Sequence, residues 1–188
     1  AALRFSLSDE TLAISRESDW KGSGIATVRV TTPSLTTLVL AGSGDIDADR
    51  MSGAANVTVA GSGTVKIARL EAESLDLTIA GSGDITASGS AGSLDLTVAG
   101  SGKAAMANLK VDRAEVSIAG SGDAEFASDG PVEASIMGSG TVTVNGNADC
   151  TVSSMGSGKL RCRPASTKTS ETSDESEAAS ATTVEEAD

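Results

Sequence analysis

Leu75-Asp76-Leu77-Thr78-Ile79-Ala80-Gly81-Ser82-Gly83-Asp84-Ile85-Thr86-Ala87 reads as two short alternating runs joined by Gly-Ser-Gly. A period of two puts Leu75, Leu77 and Ile79 on one face of an extended chain, with Asp76 and Thr78 on the other. Ile85 and Ala87 resume the inward set after the turn, so the parity survives it. The two glycines therefore fall where a side chain would run into the core, and glycine also frees the backbone for a tight bend.

The same phrase recurs along the chain. Gly-Ser-Gly starts at Gly42, Gly61, Gly81, Gly100, Gly120, Gly138 and Gly156, in steps of 19, 20, 19, 20, 18 and 18 residues. Its closing glycines are Gly44, Gly63, Gly83, Gly102, Gly122, Gly140 and Gly158, and a looser eighth copy is Gly22-Ser23-Gly24. A fixed period of this kind marks a repeat architecture. One inward column reads Leu40, Val59, Ile79, Val98, Ile118, Ile136 and Ser154; another reads Ile46, Val65, Ile85, Ala104, Ala124, Val142 and Leu160. Only a coil that returns every 18–20 residues stacks like on like in this way.

Val, Ile and Thr dominate, the period is two rather than 3.6, and glycine interrupts every copy, which favours strands over helical repeats. The expected fold is all-β: a single-stranded right-handed parallel β-helix, a solenoid of about eight coils and roughly 40 Å at strand spacing. Met51, Leu70 and Leu109 supply inward residues on the less regular third side. Residues 1–24 read as capping strands, because Leu3, Phe5 and Leu7 alternate, as do Leu12 and Ile14, around the polar Ser8-Asp9-Glu10-Thr11. A stacked core has an open end, and Phe5 and Trp20 are its expected lid. The β-helix proper is expected over residues 25–163, and 164–188 as a disordered tail of Ser, Thr, Ala and Glu.

Composition agrees. The chain has 188 residues, 39% of them apolar, yet aromatic residues are only 2%, so the core must be thin layers of aliphatic side chains. The formal net charge is -12. Residues 164–188 hold seven acidic groups against one Lys, leaving -6 for the body. That balance is the wrong sign for nucleic acid and for anionic membranes. No stretch approaches the length of a membrane-spanning helix. Ala1-Ala2 followed at once by strand-like alternation reads as a mature chain after removal of an export signal.

Val28-Arg29-Val30-Thr31-Thr32-Pro33-Ser34-Leu35, followed by Leu38-Val39-Leu40-Ala41-Gly42-Ser43-Gly44-Asp45-Ile46, resembles the head GIN domain family of auto-transporter adhesins, which leads from T-x-P-x-L into repeated GSG-D-I/V coils. The resemblance spans about residues 3–163. It implies a bacterial, exported, right-handed β-helix.

Catalytic chemistry finds little support. The chain has no His, which removes the commonest general base and the Ser-His and Cys-His pairs. Gly-Ser-Gly is not the G-x-S-x-G nucleophile elbow, and neither dinucleotide nor P-loop glycine motifs occur. One outward column stands out: Asp76, Asp95, Glu115 and Glu133 occupy the same place in four successive coils. Stacked carboxylates repel by about 1 kcal/mol per pair even in bulk water. A bound Ca²⁺ would relieve that, whereas splaying into solvent needs no ion. By contrast Asp45, Thr64, Asp84, Lys103, Asp123, Thr141 and Lys159 never stack like charges, as a solvated ladder should. A Ser/Thr column (Thr58, Thr78, Thr97, Ser117, Ser135, Ser153) also faces out and reads as ordinary β-surface. Cys150 and Cys162 fall on inward positions of the last coil, facing each other across it. They are placed for a disulfide sealing that end, worth about 3 kcal/mol, and export would supply the oxidising compartment.

The expected function is a non-enzymatic, exported module of a bacterial envelope or surface, periplasmic, outer-membrane-associated or extracellular. Its role would be adhesion or scaffolding, with a protein or glycan partner, no cofactor and no metal. Two alternatives stand beside it: a self-assembling homo-oligomeric rod, which exposed coil ends would favour, and a cation-dependent glycan-binding or glycan-active protein using the Asp76–Glu133 column with Ca²⁺.

Overall fold

The structure, a computed structural model, describes residues 3–8, 11–16 and 26–164. Two compact units divide at Ser34 and Leu35. In the first, β1 (Leu3–Ser8) and β2 (Thr11–Arg16) form an antiparallel hairpin with Phe5 opposite Ile14, where the alternation placed two strands. Phe5 is 57% exposed on it. Trp20, its expected companion, lies outside the described residues, as do Gly22-Ser23-Gly24 and the tail from 165.

The second unit is built of parallel strands alone: β3 (Thr37–Gly42), β4 (Asp45–Gly61), β5 (Thr64–Gly81), β6 (Asp84–Gly100), β7 (Lys103–Gly120), β8 (Asp123–Ser128), β9 (Pro131–Gly138), β10 (Thr141–Asn145), β11 (Asp149–Gly156) and β12 (Lys159–Arg163). Each strand pairs with its counterpart one coil on, so Ile79 lies on Val98 and Val98 on Ile118. The strands of 17 or 18 residues are long because they carry pairing around a bend, marked by register shifts at Gly53/Ala54, Ile67/Leu70, Thr86/Gly89 and Met106/Lys110.

Complete coils begin at Asp45, Thr64, Asp84, Lys103, Asp123 and Thr141, with a half coil, β3, before them and another, β12, after. That makes about seven turns rather than eight. The loose copy at residues 22–24 adds no described coil, because residues 26–36 carry no strand and regular pairing starts only at Thr37.

The inward columns make one continuous core from Leu38 to Val144. Met51, Leu70 and Leu109 are fully buried on the third side, as their spacing implied. The coil starting at Asp123 is shorter: pairing passes directly from Met106/Phe126 to Lys110/Ala127, so it has no counterpart of Leu109. It carries Phe126 instead, fully buried and the largest side chain in the core. Its hydroxyl-bearing neighbour Ser128 is also buried, and its Oγ accepts the Gly130 N–H at 3.2 Å.

The Gly-Ser-Gly corner shows why both glycines are needed. Gly81 has φ +121°, and a Cβ there would sit 2.5 Å from the Gly61 carbonyl oxygen. A Cβ on Gly83 would sit 2.5 Å from Val59 Cγ1, inside the core. Between them the corner stacks as a backbone ladder, with Ser82 N–H donating to the Gly61 carbonyl at 2.9 Å and Asp84 N–H to the Gly63 carbonyl at 3.0 Å.

Candidate functional site

What the core leaves outside is set by the same parity. On the face formed by the second halves of the coils, the acidic residues stand in direct register: Asp76 beside Asp95, Asp95 beside Glu115, Glu115 beside Glu133. Asn56 precedes this row and Thr151 follows it. Two residues back along each strand runs a row of Ser74, Ser93, Arg113, Pro131 and Asp149. The two rows border an open groove of about 450 Å³ lined by Asp95, Arg113, Glu115 and Glu133 among others.

The carboxylates string out one per coil instead of converging. Among the described residues no group of three or more His, Cys, Asp or Glu side chains comes together to hold a metal ion. Oxygen-ligand cages need six or more donors around one point, and a row at strand spacing brings neighbours together only in pairs.

On the other side of the acidic row, Thr58, Thr78, Thr97, Ser117, Ser135 and Ser153 form an unbroken hydroxyl row. Beyond it runs a row that the sequence reading did not single out: Ala41, Ala60, Ala80, Ala99 and Ala119, then Met137 and Met155. The signal was present, since the residue before each Gly-Ser-Gly from Gly42 onward is Ala five times and then Met twice. Met137 and Met155 are 57% and 72% exposed. The whole face is thus graded from carboxylate through hydroxyl to methyl, with thioether at one end.

The alternating column after each turn is also in register, Asp84 beside Lys103 and Lys103 beside Asp123. Asp123 Oδ1 accepts the Thr141 N–H at 3.0 Å. At the opposite corner Lys110 Nζ lies 2.7 Å from Asp129 Oδ2, while Asp129 Oδ1 accepts the Asn147 N–H at 3.1 Å. The hydrogen bond from Lys110, then the Asn147 N–H, hold the Asp129 carboxyl below its ordinary range. The same hydrogen bond and charge raise Lys110. This clamp was invisible in the repeat, because it forms where the coil shortens and the period breaks.

Cys150 and Cys162 are joined as a disulfide with their Cα atoms 6.7 Å apart. Cys150 continues the column of Ala114 and Val132, and Cys162 that of Phe126 and Val144. The bond therefore ties β11 to β12 across the last layer of the core.

A family model described as "Putative auto-transporter adhesin, head GIN domain" matches residues 1–148. No curated protein matches the sequence. Among solved structures, one described as a "putative adhesin" from Bacteroides fragilis aligns with a TM-score of 0.77 at 23% identity, over 86% of this chain and 76% of that one. Another, described as a "Putative lipid binding protein" from Parabacteroides distasonis, aligns with a TM-score of 0.63 at 25% identity, over 86% of this chain and 78% of that one.

Proposed function

This chain belongs to the "Putative auto-transporter adhesin, head GIN domain" family, and on that premise we propose that it is a non-enzymatic, exported module of the bacterial envelope that adheres to a surface partner through the graded face. One observation carries the reading: the carboxylate, hydroxyl and methyl rows keep their register from Asn56 to Met155. A rigid face that repeats the same side chains at strand spacing offers many weak contacts of one kind. That suits an extended glycan or a protein strand better than a small molecule. The disulfide fits an oxidising compartment outside the cytosol. No helix among the described residues is long and apolar enough to cross a membrane.

The test is binding of the full chain to immobilised surface glycans and envelope proteins, beside a Thr78→Glu/Thr97→Glu variant whose face is blocked by charge. Retained binding by the wild type and loss by the variant supports the reading. Equal binding by both sinks the assignment to this face.

A further inference from the structure

Among the described residues, the two ends of the solenoid are sheet edges with a strand unpaired on one side, and their outward side chains carry opposite charge. β3 pairs only with residues 56–61 of β4, so the opening stretch from Asp45 has β5 beside it and no described strand on its other side. At the far end, among the described residues, β12 pairs only with β10, and β11 only with β9. Asp45 and Asp47 point outward from the first edge, and Lys159 and Arg161 from the last; all four are exposed.

These are equivalent positions. The column that begins at Asp45 ends at Lys159, and the column that begins at Asp47 ends at Arg161. The steps match as well: the chain enters the solenoid on the β3 half of a coil and leaves it on the β12 half. By strand register, a second copy placed on the last coil would therefore set its β3 beside β11 and the start of its β4 beside β12. The inward side is ready for it. Val152 is 48% exposed although its counterpart one coil earlier, Ala134, is fully buried.

We propose that these edges form a self-association junction, in which the C-terminal edge of one molecule docks head to tail on the N-terminal edge of a second copy of this chain. Lys159 then faces Asp45 and Arg161 faces Asp47, in parallel register. Like-charged ends repel, so the same side chains that protect each edge from its own kind select the opposite edge. The Cys150–Cys162 bond holds the terminal strand in place before docking, which lowers the ordering cost. A heterologous contact of this type repeats without closing and yields short filaments. It uses the ends of the solenoid rather than its graded face, and stands apart from the adhesion reading.

Sedimentation velocity on the full chain tests it. Mass should rise with protein concentration at low salt and fall back at about 1 M salt, where the Debye length is about 3 Å. Lys159→Glu/Arg161→Glu and Asp45→Lys/Asp47→Lys should each weaken association by about tenfold or more. An equimolar mixture of the two should restore it, since each then supplies the end that the other fits, and unchanged circular dichroism shows that both remain folded. A wild type that is monomeric at every concentration overturns the proposal, as does a reversed variant that associates like the wild type. Association that emerges only after removal of residues 165–188 also overturns it for the full chain, and gives the basic edge to the chain's own acidic tail.

Discussion

Two glycines in equivalent positions of the motif face different surroundings. Among the described residues, a Cβ on Gly44 would meet only Leu40 Cδ1, at an ordinary 3.6 Å, because no described coil lies beneath it. A Cβ on Gly102 would stand 2.5 Å from both the Gly83 carbonyl oxygen and Ile79 Cγ2. Gly44→Ala should therefore change stability by under about 0.5 kcal/mol, while Gly102→Ala costs about 3 kcal/mol; urea midpoints decide it. The Lys110–Asp129 clamp predicts a pH dependence. Asp129 titrates below its ordinary 3.8 in the folded chain, so its contribution is present above that pH and lost as pH falls through the lowered value. Lys110 titrates above its ordinary 10.5, so its share is complete below that and lost as pH rises through the raised value. Asp129→Asn should lower the melting temperature slightly at neutral pH, the clamp being largely open to solvent, and the gap to wild type should close in acid. Because the acidic row sets out its carboxylates one per coil, Ca²⁺ should leave the melting temperature unchanged, whereas Glu115→Gln should raise stability by about 0.5 kcal/mol by relieving Asp95 and Glu133.

At the scale of elements, the last coil is the weakest layer. β12 has one strand neighbour and β11 another, and nothing described covers their inward side, so the disulfide stands in for packing that earlier coils get from the next layer. Cys150→Ala/Cys162→Ala should cost about 3 kcal/mol, and hydrogen exchange should show the loss confined to residues 149–163 while the coils between Thr64 and Gly120 keep their protection. The short coil behaves differently. Phe126 fills a layer that has given up the equivalent of Leu109, so Phe126→Ala should cost about 4 kcal/mol and loosen both neighbouring coils.

Across the whole solenoid unit each coil touches only the next, so stability should add up coil by coil. Removing residues 84–102, one full period, joins Gly83 to Lys103 and leaves every column in register. The shortened chain should fold with the same circular dichroism and a lower urea midpoint. Removing nine residues from the same place should abolish cooperative unfolding, because a partial period sends inward side chains to the wrong layer.

The sequence alone determined the coil length, the inward and outward rows and the pairing of Cys150 with Cys162, because in a parallel stack one period converts chain distance directly into spatial contact. Tertiary structure decided what breaks that period: Phe126 in the shortened layer, the Lys110–Asp129 clamp at its corner, and where regular pairing starts. It also decided that the acidic row is a line and not a cage. Spacing along a chain shows which residues are neighbours, but whether their side chains converge on a point depends on three-dimensional directions that no repeat encodes.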